Sequence, residues 1–228
     1  MKNTNRSLAV LAVFIIIVVA LVLWYRAQYP KQTPVVTPVA GTLVLDQSVS
    51  DGTITIAYPS KDYGFATNPE QVLVHSYIPP CSENFDYCLY YNGSSYAGTN
   101  FESAGLRIGK RSDLSTEALC VKTPPSGYDA GVMPDWTTTR DAYSASTFKV
   151  GDAGAGHYAN GALYRLYYRA SNTCYEFETR IGETQYANYP AGSIKQFSDV
   201  DRVAVQADLA QIISSIKIPN GTKNLWVQ

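Results

Sequence analysis

From Leu8 to Tyr25 the chain runs through 18 consecutive apolar residues, and no other feature restricts its folding as strongly. As a helix rising about 1.5 Å per residue, the run spans about 27 Å, close to a hydrocarbon core of roughly 30 Å. Trp24 and Tyr25 close it where an interfacial aromatic belt is expected. Lys2, Arg6 and the α-amino group precede it with no acidic residue among them, so the positive-inside rule predicts a cytoplasmic N-terminus and residues 27–228 outside. A cleaved signal peptide is the competing reading. Its apolar region would exceed the usual span of about 7–15 residues. The best small-residue site, Val18-Val19-Ala20, is followed by Leu-Val-Leu-Trp, a poor context for cleavage. With no cysteine before Cys81, a lipidated N-terminus is not expected. Residues 1–26 are therefore read as a cytoplasmic stub and transmembrane signal anchor, with the lipid bilayer as the partner of Leu8–Tyr25.

Residues 27–40 carry Pro30, Pro34 and Pro38 at a spacing of four, which favours extended geometry and a semi-rigid spacer. The rest of the chain is of single-domain size: an exported domain over 41–218 and a tail over 219–228. All 19 acidic residues but only 15 of the 18 basic ones lie beyond Arg26, so the exported part carries −4. That balance argues against a nucleic-acid partner, which would show a basic excess. Two histidines in the whole chain exclude a multi-histidine metal centre, and no cofactor motif is present.

The domain reads as α+β: a mostly antiparallel sheet packed by a C-terminal amphipathic helix. Short β-branched or alternating runs occur at 42–45, 53–58, 71–78, 86–91 and 105–108, with one or two helical turns within 112–119 and an irregular loop over 123–140. The clearest strands are 163–169 and 173–181. In the second, Tyr175, Phe177, Thr179 and Ile181 share one face, while Cys174, Glu176, Glu178 and Arg180 share the other. Arg165 and Arg169 are placed to pair across with Glu176 and Glu178. Near the end, Ser198 and Asp201 resemble a capping box. Val205, Leu209, Ile212, Ile213 and Ile216 then recur at three- and four-residue steps until Pro219.

Four cysteines, Cys81, Cys88, Cys120 and Cys174, all lie on the exported side, where an even count favours two disulfides. Cys81–Cys88 with Cys120–Cys174 is the preferred connectivity. A zinc site is disfavoured by the absence of any C-x2-C pair.

Tyrosine is the compositional outlier, with 18 in the chain. Clusters around Tyr91 and Tyr167 suggest a recognition face, since tyrosine offers large rigid contact area with a polar tip. The glycine-rich stretch Gly151–Gly161 is read as a loop around His157, with Asp152 nearby as a second binding candidate. It matches no phosphate-loop pattern.

Thr173, Cys174 and Arg180 resemble part of the sortase signature, which implies a thiol transpeptidase. His157 and His75 stand 17 and 99 residues before Cys174, neither at that family's spacing. Tyr58-Pro-Ser-Lys-Asp-Tyr63-Gly64-Phe65 and the closing Ser214–Ile218 are similar to PsbP-like domains, which implies an antiparallel sheet with flanking helices. Segments such as FDYCLYYNG (85–93), GTNFESAGL (98–106) and YEFETRIGETQ (175–185) resemble uncharacterised membrane-anchored exported bacterial proteins. Neither likeness transfers a catalytic residue. The expectation is a membrane-anchored extracytoplasmic binding or scaffold module of the cell envelope, recognising a glycan or protein partner through Tyr91, Tyr167, His157 and Asp152. The alternatives are an envelope enzyme using Cys174 or His157, and an accessory subunit of a membrane complex.

Overall fold

The structure, a computed structural model, describes residues 43–81, 85–129 and 131–219. The anchor Leu8–Tyr25, the proline spacer and the tail beyond Pro219 lie outside the described residues. No helix among the described residues is long and apolar enough to cross a membrane.

Among the described residues nine strands and two α-helices occur in order: β1 (Gln47–Ser50), β2 (Thr55–Tyr58), β3 (Tyr63–Ala66), β4 (Tyr87–Tyr91), β5 (Phe101–Lys110), α1 (Glu117–Lys122), β6 (Trp136–Thr139), β7 (Tyr143–Gly154), β8 (His157–Tyr168), β9 (Thr173–Thr184) and α2 (Asp199–Ser214). β1 and β2 form a separate ribbon. The other seven make one sheet in the order β3-β4-β5-β9-β8-β7-β6, antiparallel at every pairing. A mostly antiparallel sheet with a C-terminal helix is thus the architecture.

One face of the sheet carries Leu89, Leu106, Ile108, Leu166, Tyr175 and Phe177, and against it pack Val205, Leu209, Ile212 and Ile213 of α2. The helix starts where the local sequence says it should. Ser198 accepts from the Asp201 backbone and Asp201 accepts from that of Ser198, so two otherwise orphaned donors are satisfied. Beyond the helix, Thr55 and Lys217 exchange backbone hydrogen bonds at 2.9 and 2.8 Å, tying the segment that follows α2 to β2.

Several sequence expectations are corrected. Segment 71–78 is no strand. Asn68 caps a single 3-10 turn at Pro69–Gln71, and Val72 and Val74 pack over the Cys81–Cys88 bridge. Residues 43–46 are irregular, with Leu43 and Leu45 turned to the core, and the first strand begins at Gln47. The irregular stretch 123–140 contains β6. The expected glycine-rich loop at 151–161 is instead the tip of a long hairpin, paired from Tyr143↔Tyr168 to Gly154↔His157. Only Ala155 and Gly156 turn, with φ of 51° and 82°. Two consecutive left-handed residues make the type I′ turn whose twist matches that of the flanking strands.

Both disulfides form as the spacing favours, Cys81–Cys88 and Cys120–Cys174, with Cα separations of 6.1 and 5.7 Å. Cys88 and Cys174 point from the sheet face opposite α2. Each bridge therefore fastens a covering segment onto that second face, and two linked disulfides fit an oxidising compartment.

Candidate functional site

The second face is polar along its middle. Register places Arg107 of β5 beside Glu178 of β9, and Arg165 of β8 beside Glu176. Glu176 binds Arg165 at 2.8 Å, Arg111 at 2.7 Å and also Arg107; Glu178 binds Arg107 and Arg180, each at 3.0 Å. Four guanidiniums thus converge on two carboxylates. Arg165 is fully buried, its guanidinium over the Phe148 ring at 5.7 Å and its Nη1 donating to the Thr123 carbonyl. Burial alone would raise the Glu176 carboxyl, but the arginines beside it hold it below its ordinary value. Burial pulls the Arg165 guanidinium down, opposed by Glu176.

The cross-strand pairing expected for Arg165 is present, whereas that for Arg169 is not. The β8–β9 ladder ends at Tyr168↔Thr173, so Arg169 lies in the turn and reaches Glu117 of α1 at 2.8 Å. Hydrogen bonds from Arg169 and Ser144 depress the Glu117 carboxyl to about 2.

Between the two covers the face is open. A cleft of about 810 Å³ is lined by Arg107, Glu178 and Arg180 from the sheet, by Arg111 just past β5, and by Pro125 and Tyr128 from the segment after α1. A smaller hollow of about 300 Å³ lies at the hairpin end, lined by Tyr77, Ile78, Pro79, His157 and Arg180. Asp152, Ala159 and Arg180 border both. The 78–80 segment comes this close because β5 carries Gly105 beneath it; a Cβ there would stand 2.5 Å from the Pro80 carbonyl oxygen.

His157 and Asp152 stand together at this junction. His157 Nδ1 meets Glu102 Oε2 at 2.7 Å, the imidazole stacks on Tyr77 at 4.2 Å, and Glu102 also accepts from the Tyr77 backbone at 3.3 Å. Asp152 is exposed and caps the Ala153 N–H at 2.8 Å.

Tyr91 and Tyr167 do not belong to the site, which corrects the expected recognition face. Tyr91 is 6% exposed, packed among Tyr63, Tyr96 and Phe101 with ring centroids 5.5–5.6 Å away. Tyr167 is 7% exposed beside the Cys120–Cys174 bridge, its hydroxyl donating to Asn172 at 3.2 Å. The tyrosines that do face the opening are Tyr77 and Tyr128, 70% and 37% exposed. Cys174 is bridged and buried, leaving no thiol for a sortase-like step.

Comparison with protein-family models, with curated proteins and with solved structures returns no match.

Proposed function

We propose that the protein is a membrane-anchored extracytoplasmic binding module of the cell envelope, and that the cleft between its two disulfide-fastened covers takes a carboxylate-bearing ligand. The observation that carries this is Arg180. It borders both hollows, and among the described residues its guanidinium has one hydrogen-bond partner, Glu178. The remaining N–H groups form a fork suited to a carboxylate. Around it Arg107, Arg111 and Arg165 are each held by more than one partner, Arg111 by Asp113 as well as Glu176, so Arg180 is the least engaged of the four arginines. Tyr77 and Tyr128 at the two ends supply flat contact surface for an extended ligand.

Calorimetric titration of the full chain with tetragalacturonate and with tetraglutamate tests the reading. Salt-sensitive binding of at least one probe, weakened about tenfold or more in Arg180→Gln, is expected from the loss of a charge-assisted contact. Binding of neither probe, or binding indifferent to Arg180, refutes it. Protease accessibility of a C-terminal tag on intact cells tests the exported placement, and a protected tag sinks it.

One observation favours a second reading, a hydrolase with His157 as general base. Glu102 holds Nδ1, and Nε2, with no hydrogen-bond partner among the described residues, is not among the buried unpartnered atoms, so it meets solvent. Ester hydrolysis lost in His157→Gln and unchanged in Arg180→Gln would support it; no turnover above buffer would remove it.

A further inference from the structure

β7 outlasts its outer neighbour. β6 pairs with it only from Thr139↔Ser144 to Trp136↔Thr147, whereas β7 runs on to Gly154. Beyond that point the N–H groups of Lys149, Gly151 and Ala153 turn away from β8, and each donates to a side chain. Lys149 donates to Asp135 Oδ2 at 2.7 Å, Gly151 to the Tyr128 hydroxyl at 2.8 Å and Ala153 to Asp152 Oδ1 at 2.8 Å. The Tyr128 hydroxyl in turn donates to the Gly151 carbonyl at 3.2 Å. One phenol thereby engages both groups through which Gly151 would pair with another strand.

We propose that the β7 edge from Lys149 to Ala153 is a strand-addition site for an extended polypeptide, held shut by Tyr128. The two-residue step of these donors repeats at about 6.8 Å, the period of an extended backbone, which a sugar chain does not present. The edge continues the line of β6, so an incoming strand would extend an existing ladder. Gly151 offers no side chain to obstruct it. Sheet edges are ordinarily blunted by charge, proline or bulges, or covered by a helix or loop. Here the block at Gly151 is one half-exposed tyrosine following Gly127 at φ +86°, and its departure costs contacts that the new strand restores. This inference shares Tyr128 and Asp152 with the cleft reading but does not rest on Arg180, which lies two strands away from β7.

The probe is a fluorescein-labelled, end-blocked peptide, Lys-(Thr-Val)3-Lys, titrated into the purified full chain and followed by anisotropy. Tyr128→Phe should bind it about fivefold more tightly than the native chain, the scale of one net hydrogen bond. A peptide N-methylated at alternate residues should not bind, Arg180→Gln should leave the affinity unchanged, and the Gly151 amide should exchange faster in Tyr128→Phe. An unchanged circular dichroism spectrum checks that the variant is folded. The proposal is overturned by equal binding of the N-methylated peptide, by no binding to either chain, or by equal affinities of native and variant. Dimerisation of Tyr128→Phe without peptide in sedimentation would also overturn it, assigning the edge to a second copy of the chain.

Discussion

Glu176→Gln is the sharpest probe of what holds the two halves of the polar face together. The side chain is 2% exposed and faces Arg107, Arg111 and Arg165. Glutamine keeps its volume but removes the charge and turns one acceptor into a donor that points at guanidinium N–H groups. Three charge-assisted hydrogen bonds of about 1.5–3 kcal/mol each would total roughly 5–9 kcal/mol before any offset. The carboxylate's own desolvation offsets part of that, and breaking a buried ion pair from one side costs about 3–5 kcal/mol. Domains of this kind are stable by about 5–15 kcal/mol, so the loss is a large fraction. In urea, with a slope of about 2 kcal/mol per molar, the midpoint should fall by about 1.5–2.5 M at unchanged slope. The linkage fixes the sign with pH. The Glu176 carboxyl is held below its ordinary value of 4.5 in the folded state, so its contribution is complete above that value and is lost as pH falls through the folded one. The gap between native and variant should be flat near neutrality and close only on acidification. A gap under about 1 kcal/mol at pH 7 would refute the reasoning, since it is the size expected of a solvated surface pair. In a double-mutant cycle, Arg165→Met and Glu176→Leu should cost less together than the sum of the two alone, and strict additivity would mean that no buried pair exists.

Three further outcomes rest on other parts of the fold. Removing Cys120–Cys174, whose partners lie 54 residues apart, should cost about 4 kcal/mol, and removing Cys81–Cys88 about 2.5 kcal/mol; chemical denaturation of the paired serine variants would rank them, and a reversed order would fault the loop-entropy account. The Glu117 carboxyl should titrate near 2 by NMR and move up towards its ordinary 4.5 in Arg169→Gln; a midpoint unmoved by that change would show that Arg169 is not its partner. Ala155 occupies a left-handed position at φ 51°, which costs an L-residue about 1 kcal/mol or more. Ala155→Asn creates the favoured Asn-Gly turn and should raise the melting temperature by a few degrees, whereas a lower one would mean that the hairpin tip is not a type I′ turn.

The features legible in the sequence are those that depend on near neighbours. Helix α2 announces itself through Ser198, Asp201 and the spacing of Val205, Leu209, Ile212 and Ile213, each within four residues of the next. The two faces of β9 come from strict alternation; both are buried, and it is their neighbours that differ, Tyr175, Phe177 and Ile181 joining the main core while Cys174 packs with Leu114, Cys120 and Tyr167. The hairpin tip is hidden because its turn lacks the usual Asn-Gly pair and because glycine-rich composition reads as loop. Tyr91 and Tyr167 mislead for a different reason. A tyrosine on a strand can face core, cover or solvent, and for Tyr167 the decision rests with α1 and a bridge to a cysteine 54 residues away. Arg107 gives no signal at all between Leu106 and Ile108. Its role exists only once register sets it beside Glu178, 71 residues later.

The alternation in β9 nevertheless holds a clue that can be read forward. Glu176, Glu178 and Arg180 share a face with Cys174, and a strand whose charged side also anchors a disulfide has that side covered near the cysteine. Cys88 does the same from β4, two strands away in the order β4-β5-β9. Two cysteines on one sheet face, each bonded to a segment outside the sheet, raise two walls and leave the charges between them as a floor. The bridges therefore act on the cleft as much as on stability. Reducing Cys81–Cys88 should loosen the wall that carries Tyr77 and Pro79, while the sheet beneath, held by Cys120–Cys174 and the packing of α2, keeps its backbone pairing.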